Sequence, residues 1–128
     1  MKIEFLKEGS TDCPLLRIFG NEPSSAAQLA AAFRHLAKRQ TEEIAIHELP
    51  DFHSVEGCRL YAKVNPEDKG VCQTDNSTFE CLLMAETWEK VAELVGPFSE
   101  QLEGNRHQWL NETSEISLLI SSNELGKW

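Results

Sequence analysis

Apolar and polar residues alternate in several short segments of this chain, which is the pattern of strands that bury one face. Cys58 to Val64 is the clearest example, because apolar side chains occupy every second position. Leu15 to Phe19 is apolar on both faces and is predicted to be a central strand of a sheet. The remaining predicted strands are residues 3–7, 43–49, 71–74, 78–85, 107–110 and 115–121.

Two further segments show the three- and four-residue spacing of a helix with one buried face. The first is predicted to begin with a capping box formed by Ser25 and Gln28 and to run to about Gln40. The second is predicted to begin near residue 86 or 87. Pro97 interrupts it and predicts a kink or a fresh helical turn, because proline lacks the N–H of a regular helix. The apolar seam of this second helix is Trp88, Val91, Val95, Phe98 and Leu102.

The predicted element order is β-β-α-β-β-β-β-α-β-β. Runs of strands, rather than strict alternation with helices, are typical of α+β proteins. We therefore expect a mostly antiparallel sheet with both helices packed on one face, as a two-layer sandwich. No linker, repeat or low-complexity segment interrupts residues 1–128, which predicts a single globular domain.

The acidic residues are concentrated in the second half of the chain. The 128 residues include 12 Lys and Arg against 21 Asp and Glu, which gives a net charge of −9. Residues 1–64 carry nine acids and eight bases (net −1), and residues 65–128 carry twelve acids and four bases (net −8). Nucleic acid and anionic membranes are therefore unexpected partners, because their phosphates attract Lys and Arg. A protein partner with a basic surface fits this charge, and solubility alone would also explain it.

The N-terminal residues point to a cytoplasmic protein. Met1 to Phe5 is too charged for a secretory signal peptide. In a reducing compartment the four cysteines, at positions 13, 58, 72 and 81, are expected to be free thiols. No run of about 18 apolar residues is present, so no membrane span is expected either.

The glycine positions exclude several catalytic and nucleotide-binding motifs. The seven glycines lie at positions 9, 20, 57, 70, 96, 104 and 126. Neither G-x-G-x-x-G, nor a phosphate-binding P-loop, nor the G-x-S-x-G nucleophile elbow matches these positions. We therefore expect no cofactor, and no motif assigns an enzymatic activity.

His47, Asp51 and His53 are the first candidates for a ligand or metal site. Two imidazoles and a carboxylate are able to form a facial metal triad or an acid–base pair. The segment opens like the zinc-protease motif H-E-x-x-H, but its fifth residue is Asp51 and Pro50 prevents the required helix. An exposed loop with incidental histidines is the alternative interpretation.

Cys72 and Cys81 are the second candidates for such a site. Residues 75–77, Asp-Asn-Ser, predict a tight hairpin between two strands. With Asn76 and Ser77 as a two-residue loop, the two thiols would lie directly opposite each other, with Cα atoms about 4.5–5.5 Å apart. That spacing suits a redox pair or half of a zinc site, and the alternative is two small buried side chains.

A partner surface is predicted on the second helix and at two tryptophans. The acidic residues that project from this helix are Glu86, Glu89, Glu93 and Glu100. Trp109 and Trp128 would add large aromatic contact area to an interface. For Trp128, folding back onto the core is the competing interpretation.

Three functional hypotheses follow from these patterns. The favoured one is a non-enzymatic protein-binding or regulatory module, with an acidic inhibitor or immunity-like protein as one version. The alternative is a small sensor or enzyme that binds a ligand or metal through His47, Asp51 and His53 or through Cys72 and Cys81. The third is a domain that forms a homodimer through an uncovered edge strand.

Overall fold

The structure, a computed structural model, describes residues 1–8, 11–12, 14–100 and 106–122. Two α-helices and nine strands lie within these ranges, and three short 3-10 turns connect some of them, at Ile46–Glu48, Val55–Gly57 and Gly96–Ser99. The helices are α1 (Pro23–Ala37) and α2 (Ala85–Val95). The strands are β1 (Lys2–Leu6), β2 (Leu15–Phe19), β3 (Glu43–Ala45), β4 (His53–Ser54), β5 (Arg59–Val64), β6 (Gly70–Gln73), β7 (Thr78–Leu83), β8 (His107–Asn111) and β9 (Ser117–Ser121).

The strands form two mixed sheets, so the α+β class is confirmed and the expected single, mostly antiparallel sheet is wrong. The first sheet has the order β4-β1-β2-β9-β8 and the second has the order β3-β5-β7-β6. Parallel pairs lie at the centre of each sheet, β2 with β9 and β5 with β7. The predicted element order also lacked one strand, because no strand was predicted between residues 49 and 58, where β4 lies.

The two halves of the chain repeat the same order of elements. The first half runs β1-β2-α1-β3-β5 and the second runs β6-β7-α2-β8-β9, with the two-residue β4 as an addition to the first. In each sheet the leading hairpin of one half pairs with the last two strands of the other, so β1-β2-β9-β8 corresponds to β6-β7-β5-β3. No repeat was predicted from the sequence, because this one lies in topology rather than in residue identities.

The buried faces of the two helices follow the same repeat. Five buried positions of α1 have buried counterparts 62 residues later, in α2 and the 3-10 turn that follows it. The pairs are Ala26 and Trp88, Leu29 and Val91, Ala30 and Ala92, Phe33 and Val95, and Leu36 and Phe98. The rings of Phe33 and Trp88 stack with their centroids 4.9 Å apart, where the helices pack. Side chains from both helices and both sheets share this core.

The structure corrects the predicted start of α1 and confirms the predicted turn after α2. α1 begins at Pro23, and Glu22 before it makes no side-chain cap, so the capping box at Ser25 and Gln28 is wrong. Proline suits a first helical turn because its fixed φ matches the helix and its missing N–H would be unpaired there. The fresh turn predicted at Pro97 is confirmed as the 3-10 turn Gly96–Ser99, whereas the predicted seam residue Leu102 lies outside the described residues.

Asp68 caps α2 from the loop between β5 and β6. One carboxylate oxygen accepts the N–H of Met84 at 2.8 Å, and the other accepts the hydroxyl of Thr87 at 2.8 Å. Met84 precedes the first residue of α2, so Asp68 satisfies a donor that the helix itself leaves unpaired. Among the described residues, no helix is long and apolar enough to cross a membrane.

Candidate functional site

His47 has a structural contact that accounts for its position. Its Nδ1 accepts the backbone N–H of Leu60 at 3.1 Å, and its ring meets the ring of Tyr61 edge-on at 5.1 Å. β3 ends at Ala45, which is opposite Tyr61, so β3 has no backbone carbonyl opposite Leu60. The imidazole of His47 accepts the Leu60 N–H instead. The side chain therefore replaces a missing backbone carbonyl at the end of this strand pair.

Asp51 and His53 are exposed, and their backbones are used to hold the N-terminal residue. The carbonyl of Asp51 accepts the amino group of Met1 at 2.7 Å, and the N–H of His53 donates to the carbonyl of Met1 at 2.9 Å. Across the described ranges, no three His, Cys, Asp or Glu side chains group closely enough to hold a metal ion. The structure thus does not assemble His47, Asp51 and His53 into the triad that the sequence suggested.

Cys72 and Cys81 lie on opposite faces of the second sheet. Val71 is opposite Cys81 and Cys72 is opposite Glu80, so the pairing differs by one residue from the predicted register. The reason is a three-residue loop, in which the Asp75 carboxylate accepts the N–H of Ser77 at 2.9 Å. The predicted direct pair of thiols is therefore wrong.

The buried thiols are poor nucleophiles. Burial raises the pKa of Cys58 to about 11, and the nearby Glu4 adds to the effect. Burial also raises the pKa of Cys81, which is fully enclosed in the core. Because the thiolate is the reactive form, both side chains are suited to packing rather than to catalysis.

α2 presents a row of acidic side chains, hereafter the acidic stripe, formed by Glu86, Glu89 and Glu93. All three are exposed, and none forms an ion pair with another described residue. Glu100 is also exposed, just beyond the 3-10 turn that ends the helix. The acids of the stripe therefore face solvent, on a helix whose opposite side packs on the core.

The two tryptophans of the predicted partner surface are placed differently. Trp109 is half-buried on β8, where it lies opposite Leu119. Trp128 lies outside the described residues, so its position is not part of the site. Trp109 therefore offers only part of its indole ring to a partner.

A second charged surface on β5 and its neighbours was missed. Lys63 forms ion pairs with Glu43, at 3.3 Å, and with Glu80, and its pKa is raised mainly by the hydrogen bond to Glu80. Tyr61 lies on the same side of β5 as Lys63, and both are half-buried. The alternation of Arg59, Tyr61 and Lys63 was the signal for this face, and it was used only to predict a strand.

The described titratable groups singled out above lie in different environments. The imidazole of His47 is engaged by the backbone, the thiols of Cys58 and Cys81 are buried, and the acids of α2 face solvent. Comparisons of the chain with protein-family models, with curated proteins and with solved structures find no match in any of the three.

Proposed function

We propose that this protein is a non-enzymatic protein-binding module whose acidic stripe receives a basic surface of its partner. The observation that supports the proposal is the exposure of Glu86, Glu89 and Glu93 without any ion pair to another described residue. Like charges four residues apart on a helix repel each other, as do Glu89 and Glu93. Lysine or arginine side chains of a partner would relieve this repulsion on binding.

The stripe lies on a helix that is anchored to the rest of the fold at its buried side and at its N-terminal end. Trp88 is fully buried behind the stripe, and its indole N–H donates to the carbonyl of Lys63 at 2.9 Å. Asp68 fixes the N-terminal end of the same helix. A helix that is already ordered loses little backbone entropy when it binds, which favours affinity. Charge complementarity with a basic partner favours fast association. An inhibitor or immunity-like protein that covers a basic face of its target is one version of this proposal.

Affinity capture with charge-reversed variants tests the proposal. The immobilised protein is incubated with a lysate of its source organism at about 50 mM and about 500 mM NaCl, since salt screens surface charge. A specific partner should be captured at low salt and lost at high salt. The variant reverses the stripe (Glu86→Lys, Glu89→Lys, Glu93→Lys), and the matched control makes the same change at three other exposed acids (Glu8→Lys, Glu67→Lys, Glu112→Lys).

The proposal requires the stripe variant to lose the partner while the control variant keeps it. Equal loss in both variants would mean that only the net charge matters, and would contradict a defined interface. The alternative function, a sensor that holds a metal, is tested by native mass spectrometry with added zinc. Stoichiometric zinc uptake that His47→Ala and His53→Ala abolish would replace the binding-module proposal.

A further inference from the structure

A shallow groove of about 350 Å³ lies between α1 and the edge strand β3. Its floor is apolar, because Ala31 and Ala32 of α1 face Ile44 of β3 and Leu49 beyond the 3-10 turn that follows β3. The two alanines leave the space open, since a larger side chain at either position would fill it. Ile44 and Leu49 remain partly exposed beside the core, so the groove offers apolar surface that a partner could cover.

The rim of the groove is basic, although the protein as a whole is acidic. His35 borders the groove, and a smaller adjoining depression of about 180 Å³ adds Arg34 and Lys38. All three side chains are exposed, and neither Arg34 nor Lys38 forms an ion pair with another described residue. The rim therefore complements an acidic ligand, in contrast to the acidic stripe on α2.

We propose that the groove between α1 and β3 is a second docking site, which takes an acidic amphipathic segment of a protein partner. The apolar side chains of the segment cover Ile44 and Leu49, and its acidic side chains meet Arg34 and Lys38. A protein segment fits better than a small molecule, because pockets for small molecules enclose most of the ligand whereas Ala31 and His35 leave this groove open to solvent. This site is separate from the acidic stripe and does not depend on it.

Binding of a model peptide tests the groove directly. The probe is a fluorescein-labelled peptide of about 16 residues, long enough for an amphipathic helix, with Leu along one face and Glu elsewhere. A second probe replaces every Glu with Lys. The intact protein should raise the fluorescence anisotropy of the Glu probe in a saturable manner and should not do so for the Lys probe.

Three variants locate the binding to the groove. Lys38→Glu and Ala31→Glu place negative charge at the site and should weaken binding of the Glu probe by about tenfold or more, a change of about 1.4 kcal/mol or more. Lys90→Glu makes the same charge change as Lys38→Glu on the exposed face of α2 and should change the affinity less than about twofold. Circular dichroism melting curves confirm that each variant is folded before it is assayed.

Three results would overturn the proposal. They are an absence of binding by the unmodified protein at low salt, equal binding of the Glu and Lys probes, and equal loss in Lys38→Glu and Lys90→Glu. The stripe variant Glu86→Lys, Glu89→Lys, Glu93→Lys should still bind the Glu probe, so failure of the groove and failure of the proposed function give different results.

Discussion

Replacing His47 with alanine should destabilise the fold by about 1.5–4.5 kcal/mol, because it removes two interactions of different kinds. The first is the hydrogen bond that the backbone N–H of Leu60 donates to Nδ1 of His47. Leu60 is only 1% exposed. A buried N–H left without an acceptor costs about 1–3 kcal/mol. The second is the edge-on contact with Tyr61, and such ring contacts contribute about 0.5–1.5 kcal/mol.

Urea unfolding followed by tryptophan fluorescence measures this loss, because Trp88 is stacked in the core and becomes exposed on unfolding. The change in free energy of unfolding follows from the shift in midpoint, provided that the slope stays constant. His47→Asn is the informative second variant, since its amide oxygen lies close to the place of Nδ1 and is able to accept the Leu60 N–H. It should recover about two-thirds of the loss, because the hydrogen bond is regained while the ring contact stays absent.

His53→Ala is the matched control, because it removes a histidine of the same segment whose side chain is exposed. Its effect should stay within about 0.5 kcal/mol, as is usual for surface substitutions. A His47→Ala variant as stable as His53→Ala would refute the structural role of the imidazole. His47 would then return to the candidates for a ligand site.

Asp68 and the cysteines give three further predictions with independent measurements. Asp68→Ala should lower the free energy of unfolding by about 1–2 kcal/mol, because the N–H of Met84 loses its hydrogen-bond acceptor. Urea unfolding measures this loss. The near-isosteric variant Asp68→Asn shows how much of the loss depends on the negative charge. The raised pKa of Cys58 means that the folded thiol keeps its proton where the unfolded thiol releases it, so stability is lost as pH rises from about 9 towards about 11. Wild type should therefore lose stability relative to Cys58→Ala across that range, and a pH-independent difference would contradict the assignment. In a Cys13→Ser background at pH 8, alkylation followed by peptide mass spectrometry should modify the half-buried Cys72 before the buried Cys58.

Most elements of the fold were predictable because their periodicity reflects burial. Leu15 to Phe19 was expected to be a central strand, and all five residues of β2 are buried between two neighbours. The order of strands was not predictable in the same way. Alternation along β5 shows which face is buried, but it carries no information on which strand lies beside it. The parallel pairing of Leu15 with Ser117 joins opposite ends of the chain, and no local pattern encodes it.

The predicted pairing of Cys72 with Cys81 was wrong because of one backbone detail, the length of a loop. Residues 75–77 were correctly predicted to lie in a hairpin turn, but the loop has three residues rather than the expected two. A shift of one residue turns every side chain of a strand to the other face, and this is why Cys72 points away from Cys81. His47 was considered for its ring nitrogens, and the structure uses one of them to accept a backbone N–H.

The internal repeat connects the two proposed surfaces. The offset of 62 residues that relates the buried faces of α1 and α2 also relates their exposed faces, so that Ala31 corresponds to Glu93 and Lys38 corresponds to Glu100. The buried positions hold apolar residues in both helices, because both pack into the same core. Packing places no such demand on the exposed positions, and there the residues differ, with Ala31 against Glu93 and Lys38 against Glu100. Two helices with equivalent places in the fold thus present different surfaces to solvent, which is what a module with two unlike binding sites requires.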